Sequence, residues 1–230
     1  MVWSAKKISG ESIDQWTKLS SINQLQLDGN KGHVKALRKF NDNIYCFQDH
    51  ATSRIRFNDR TAIATESGEP LQLAHTNYVD GYEYVNGDIG CQYGISCCET
   101  ENGIFFIDSD IPGIYKLSYN EYGNINIKNI TKERLMQRWF ENIGNVNKTR
   151  VFFDKPVNEI LTLNNKTLQS NDNGYCLSFS CDMNAFQQFI DYEKAQYVLT
   201  HNNWPVAVTN INGDIELWKL RNGSFSSFFS

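Results

Sequence analysis

The feature that most limits what this chain can fold into is its punctuation. Most apolar runs are short, alternate with polar residues, and end in Gly, Asn or Asp. The stretch "SCCETENGIFFIDSDIPGIYKLSYNEYGNINI", residues 96–127, holds three such runs between Asn-Gly, Pro-Gly and Tyr-Gly-Asn breaks. Period-two alternation bounded by turn residues is the signature of short antiparallel strands. It predicts an all-β chain.

The unit recurs. "NDNIYCFQDHATSRIRFN" (41–58), "ENGIFFIDSDIPGIYKLS" (101–118), "PVNEILTLNN" returning as "NGYCLSFSCDMNAFQQFIDY", and "NINGDIELWKLRNGSFSSFF" (210–229) share one order of turn, strand, turn, strand. With Ile44, Ile104, Ile160 and Ile215 as equivalent positions, the spacings are 60, 56 and 55 residues. Repeats of this size built only from strands read as hairpin sheets stacked or arranged radially. The expected architecture is β-propeller-like, in about four blade-like repeats, with a two-sheet sandwich as the alternative. The whole of 1–230 is then one propeller or propeller-fragment domain. Tyr45, Phe47, Phe105, Phe106, Leu217 and Trp218 are expected to fill the faces between blades.

One segment departs from the strand rhythm. "ITKERLMQRWFENIG", 130–144, places Leu135, Met136, Trp139, Phe140 and Ile143 at helical spacing, which predicts one short α-helix over 131–143. Thr131 is the expected N-cap and Gly144 the stop after the last turn.

Composition restricts function. The chain is 40% apolar and 13% aromatic, so it has the means to bury a core. Net charge is −4 with both signs interspersed, which offers no basic footprint for nucleic acid. No apolar run is long enough to cross a bilayer as a helix. The six cysteines (Cys46, Cys91, Cys97, Cys98, Cys176 and Cys181) contain no C-x-x-C pair, and His33, His50, His75 and His201 are scattered. Buried thiols acting as small hydrophobes are therefore expected rather than a metal site. Cys97 and Cys98, as strand neighbours, should point to opposite faces.

Asp108 and Asp110, one residue apart, raise the question of chemistry against shape. Both fall where one strand turns into the next, aligned with Gln48-Asp49-His50 in the first repeat and Lys219-Leu220-Arg221 in the fourth. Asp and Ser favour such places because their side chains bond local backbone. The sharpest enzymatic alternative is a pair of carboxylates for glycoside hydrolysis, drawn from Glu83, Asp88, Glu99, Asp108, Asp110 and Asp154, which must sit roughly 5–10 Å apart. No nucleophile elbow and no phosphate-cradling glycine pattern is present. The Gly- and Tyr-rich stretch "DGYEYVNGDIGCQYGIS", 80–96, reads as a connection between blades, with an aromatic contact loop as the functional alternative.

Taken in order, "IDQWTKL", "GHVKALRKFNDNIYCFQDHATSRIRFNDR", "GCQYGISCCETENGIFFIDSDIPGIYKLS", "LMQRWFENI", "VFFDKPVNEILTL", "CLSFSCDMNAFQQFIDY" and "DIELWKL" resemble the tail stabilization or muzzle-type structural proteins of crAss-like, short-tailed bacteriophages. The resemblance runs from about Ile13 to Ser230. It implies a virion structural protein of the tail, assembled in the bacterial host cytoplasm. It further implies a homo-oligomeric ring, contacts with other tail proteins, and help in retaining DNA and gating its exit. Family members are much longer, so the chain is expected to be a fragment or a short variant.

No catalytic residue, cofactor or metal follows from the resemblance, and neither a membrane, a sequence-specific nucleic acid nor a small-molecule substrate is expected. Interface contacts are expected at Tyr82, Tyr84, Tyr93, Trp139 and Phe140, by inference from their chemistry. A host-surface glycan-binding or glycan-cleaving propeller is the alternative.

Overall fold

The computed structural model describes residues 1–4, 17, 19–57, 62–64, 70–72, 79–142, 149–164, 175–190, 195–201, 204–211 and 214–219. It is mostly β-sheet. Strands β1 (Val2–Ser4) and β2 (Leu19–Gln24) pair at the start. Sheet I is built from β3 (Val34–Phe40), β4 (Asn43–Gln48) and β5 (Thr52–Phe57). A small hairpin of β6 (Ala62–Ala64) and β7 (Pro70–Gln72) intervenes before β8 (Val79–Asn86) pairs with β5 and completes the sheet.

Sheet II runs β9 (Cys97–Thr100), β10 (Gly103–Asp108), β11 (Gly113–Tyr119) and β12 (Ile125–Asn129). Helices α1 (Ile130–Glu133) and α2 (Gln137–Asn142) follow. Sheet III is β13 (Thr149–Asp154), β14 (Glu159–Asn164), β15 (Tyr175–Ser180) and β16 (Ala185–Ile190). Sheet IV is β17 (Ala195–His201), β18 (Trp204–Ile211) and β19 (Asp214–Lys219). Every pairing is antiparallel, and sheets I to IV take their strands in chain order.

Successive sheets pack face to face. Tyr45, Phe47, Ala36 and Phe40 of sheet I bury against Cys97, Ile104, Phe106, Tyr115 and Leu117 of sheet II. Phe105, Ile107 and Ile114 use the other face of sheet II against Val151, Ile160, Leu177 and Phe179 of sheet III. Leu161, Leu163 and Cys176 then meet Val198 of sheet IV. Strand alternation explains how adjacent Phe105 and Phe106 serve different junctions. Cys97 and Cys98 divide in the same way, one packed toward sheet I and the other toward sheet III. Ring pairs cross both junctions: Phe47 and Phe106 are 4.9 Å apart, and Phe105 and Phe179 5.9 Å. Such pairs are worth about 1 kcal/mol each beyond area burial.

Ile44, Ile104 and Ile160 each stand second in the second strand of their sheet. Ile215 does not. It lies on β19, the third strand of sheet IV, whose second strand is β18. Leu217, expected to fill a face between sheets, is exposed, because no sheet among the described residues covers that side of sheet IV. Trp218 lies on β19, and its side chain, like Leu220, Arg221 and residues 13–16 and 18 of the opening motif, is outside the described residues.

The segment expected to be one helix is two. Asn129, not Thr131, is the N-cap: its Oδ1 accepts the Lys132 N–H at 2.9 Å, and the Thr131 hydroxyl donates to the same oxygen at 2.6 Å. The first helix then ends in a Schellman turn, with the Leu135 N–H on the Lys132 carbonyl at 3.4 Å and the Met136 N–H on the Thr131 carbonyl at 2.8 Å. Leu135 takes the left-handed position usually given to Gly, with φ 60°, and its side chain is 92% exposed. Helical spacing therefore continued across a stop that the residue type does not signal. Ile143 and Gly144 lie outside the described residues.

Left-handed backbone costs a non-Gly residue about 1–2 kcal/mol, and Leu135 has almost no packing to lose. Leu135→Gly should therefore raise stability by about 1 kcal/mol, read as a higher urea midpoint at unchanged slope. A loss of stability would mean that the side chain contributes to packing after all.

Candidate interaction site

The end of sheets I and II at which β4 and β10 finish gathers the sequence-predicted polar residues. Asp108 closes β10 and is buried. Its Oδ1 accepts the Asp110 N–H at 2.8 Å, the Ile111 N–H at 3.1 Å and Gln92 Nε2 at 3.0 Å. Its Oδ2 accepts the Gly90 N–H at 2.9 Å. Two of these bonds shape its own turn, and two hold the 87–96 connection from sheet I. A buried carboxylate is stable only with such partners. Asp108 is thus a structural clamp.

Gln92 joins three segments. Its Nε2 reaches the Asp49 carbonyl at 2.6 Å and Asp110 Oδ2 at 3.1 Å, and its Oε1 accepts the Ser109 N–H and hydroxyl, both at 2.8 Å. Gly90 lies so close to the turn after β4 that a Cβ would run into the Gln48 and Asp49 carbonyls. Gln48, at the end of β4, works on the preceding connection: its Nε2 donates to the Asp28 and Gly32 carbonyls, both at 2.9 Å.

Charge surrounds these clamps. Asp49 takes Lys35 Nζ at 3.3 Å and the His33 N–H at 2.7 Å, and Asp110 takes His50 Nδ1 at 2.9 Å. Lys31 stands 3.8 Å from Asp88.

The other candidate carboxylates are also engaged. Glu83 pairs with Arg54, and Glu99 accepts the Lys39 N–H at 3.3 Å. Asp154 is buried at the end of β13. Among the described residues no group of three or more His, Cys, Asp or Glu side chains is arranged to hold a metal ion. None of the described helices is long and apolar enough to cross a membrane.

The expected contact residues do not form one patch. Tyr82 and Tyr84 share a face of β8, rings 5.5 Å apart and edge-on. Tyr84 is partly exposed, with its hydroxyl 3.4 Å from Asp28 Oδ2, and Tyr82 packs on the outer core of sheet I. Tyr93 is partly exposed just before the 3-10 turn at 94–96. Trp139 is half-buried against the junction of sheets II and III. Phe140 is a correction: it is fully buried in that junction and offers no surface, because α2 turns this residue inward.

Sequence reading missed Arg38. This residue of β3 donates to the Cys97 carbonyl from Nε at 3.2 Å and Nη2 at 2.9 Å, and to the Gly94 carbonyl at 3.3 Å. It ties the first strands of sheets I and II. The Ser96 hydroxyl, donating to the Thr149 carbonyl, does the same for sheets II and III. A strand arginine carries no signal of a partner about 60 residues away in sequence.

Burial also sets the thiols. Desolvation pushes Cys46 and Cys91 up to about 11 from the usual 9.0. The unfolded chain gives up these protons first as pH rises. The neutral thiols therefore favour the fold fully below about pH 9, and that contribution is lost between about 9 and 11. Urea midpoints should hold to about pH 8.5 and fall by pH 10.5, with a smaller fall in Cys46→Ala/Cys91→Ala. An equal fall in the double variant would assign the alkaline loss to other groups.

The two acids of the 108–110 turn separate by mutation. Asp108→Ala should cost about 3 kcal/mol, by leaving buried N–H groups without an acceptor. Asp110→Ala, at an exposed pair, should cost under about 1 kcal/mol. Equal costs in denaturant melts would sink this division of roles.

The family described as "Crassvirus muzzle protein" matches residues 1–210. The muzzle protein of Bacteroides phage crAss001 is 29% identical over 235 residues, covering 97% of this chain. The chain spans 16% of that relative's length. With the match extending from the first strand into sheet IV, the chain belongs to the Crassvirus muzzle protein family.

Proposed function

We propose that this chain is a structural component of a phage virion, a ring-forming tail stabilization or muzzle component. In this role it contacts neighbouring tail proteins and helps retain DNA and gate its exit. The observation that carries the reading is family membership across residues 1–210. The packing of the sheets supports it physically. First strands β3, β9, β13 and β17 lie beside one another in order, as the inner strands of propeller blades do. Such a frame is rigid where sheets II and III are held on both faces, and its loops are free to vary.

The work of the frame is surface complementarity. Tyr84 and Tyr93 are proposed as contacts for a neighbour, with Tyr82 and Trp139 behind them. Many modest contacts repeated around a homo-oligomeric ring add to a stable collar.

Quantitative mass spectrometry of purified virions tests this reading, using the tryptic peptide "WFENIGNVNK", Trp139–Lys148, against the capsid protein as copy standard. A fixed, small, multiple-copy signal is expected. Absence from virions would overturn the structural role and direct attention to glycan binding by the partly exposed tyrosines.

A further inference from the structure

Two half-buried cysteines meet at the junction of sheets II and III, on faces turned toward each other. Cys98 stands opposite Phe105 in the β9–β10 ladder, and Phe105 stands opposite Lys116 in the β10–β11 ladder. Directly opposed strand residues share a face, so the three form one row on the side of sheet II that meets sheet III. Across the junction, alternation along β15 turns Leu177 and Phe179 toward sheet II. Cys181, one residue past β15, keeps that face. Its N–H donates to the Asn158 carbonyl at 2.9 Å, which carries the β14–β15 ladder one pair beyond Glu159 and Ser180.

The row is centred on aromatic rings. Phe179 lies 5.9 Å from Phe105, and Lys116 Nζ lies 5.4 Å from the centre of the Phe105 ring. The thiols flank this contact, and both pack against the core of the junction. Burial pushes both thiols up, and after burial the largest charge effect on Cys98 comes from Cys181. Such effects fade with distance, so the two sulfurs are neighbours. At Cys181 burial holds the thiol up to about 11, and the Lys116 ammonium opposes it.

The adjoining thiols provide a contrast. Cys97 packs toward sheet I and Cys176 toward sheet IV, so neither faces this junction.

We infer that Cys98 and Cys181 are a redox-responsive pair that closes to a disulfide between sheets II and III when a low-molecular-weight disulfide such as oxidised glutathione is supplied. Cys181 lies at the β15–β16 turn beside exposed Asp182 and Met183, and it reacts first. Its thiolate attacks one sulfur of the glutathione disulfide, whose S–S bond breaks, and one glutathione leaves carrying the proton that Cys181 gave up. Cys98 then loses its proton and attacks Cys181 Sγ, which expels the second glutathione as a thiol. Two protein thiols are oxidised, and one glutathione disulfide is reduced to two thiols. Burial that disfavours both thiolates leaves the reduced pair without the stabilisation that makes a disulfide labile. The bond ties the end of the junction that lies away from the buried clamps. The inference stands on the junction alone and does not depend on a role in the tail.

The test equilibrates the 230-residue chain with oxidised glutathione at about pH 8.5, alkylates the remaining thiols and maps proteolytic peptides without reduction. A peptide pair linked through Cys98 and Cys181 is expected, and dithiothreitol should release it. Fragmentation of the linked pair places the bond in the wild-type chain without recourse to variants. The link should persist in Cys97→Ala and Cys176→Ala and disappear in Cys98→Ala and in Cys181→Ala. Because the bond closes a long loop, the oxidised chain should melt about 10 °C above the reduced one. The inference is overturned if both thiols remain free at equilibrium, if the link runs to Cys97 or Cys176, or if oxidation fails to raise the melting midpoint.

Discussion

A β-sheet that is apolar on both faces cannot stand alone in water, and sheets I to III are of this kind. In β10, all six residues from Gly103 to Asp108 are buried, with Phe105 and Phe106 pointing to opposite neighbours. Each buried aromatic or aliphatic side chain stabilises the fold by about 1.5–3 kcal/mol relative to exposure. Strand-to-strand hydrogen bonds are completed within each sheet and are indifferent to what lies above or below. The junctions between sheets therefore decide whether the chain folds as a unit. Stability in such an array approximates a sum of sheet terms and nearest-neighbour junction terms.

Apolar faces alone would let sheets slide. The end-of-strand clamps remove that freedom, and they do so with opposite chemistry at equivalent places. Gln48 donates to the Asp28 and Gly32 carbonyls, because the connection before sheet I turns its carbonyls inward. Asp108 accepts from Gly90 and Gln92, because the connection before sheet II turns an N–H and an amide inward. Asn164, buried at the end of β14, occupies the same place in sheet III. One position in the meander is reserved for a buried polar side chain, and the connection it holds determines whether that side chain must donate or accept.

The all-β architecture was legible because alternation and turn residues act locally. Ile44, Ile104 and Ile160 fell into equivalent positions on that basis. Ile215 did not, for a physical reason. β18 begins Trp204-Pro205, and a proline reads as an edge or a break, although at the start of a strand its missing N–H costs little. The helix was misjudged at Leu135, where a Schellman turn forms without its usual glycine. At the candidate site, the local half of Asp108's work was readable: it bonds Asp110 and Ile111, its own turn. Its hold on Gly90 and Gln92, like the reach of Arg38 to Cys97, depends on how sheets meet, and residue types do not encode that.

The clamps also bear on how a frame of this kind would carry load. Asp49 and His50 belong to the turn after β4, Gln92 to the connection between sheets, and Asp110 to the turn after β10. A partner gripping this end would touch two sheets through one hydrogen-bonded cluster, so a pull on any of these loops is shared by the junction beneath. At the opposite end Asn43 Nδ2 donates to the Tyr119 hydroxyl at 3.1 Å between sheets I and II, and the exposed Lys155–Glu101 pair spans sheets II and III at 3.3 Å. Exposed pairs of that kind contribute under about 1 kcal/mol and yield first. Force applied to the clamped end would accordingly be resisted by buried polar bonds and apolar faces together. Force applied to the other end would meet the faces together with these ties.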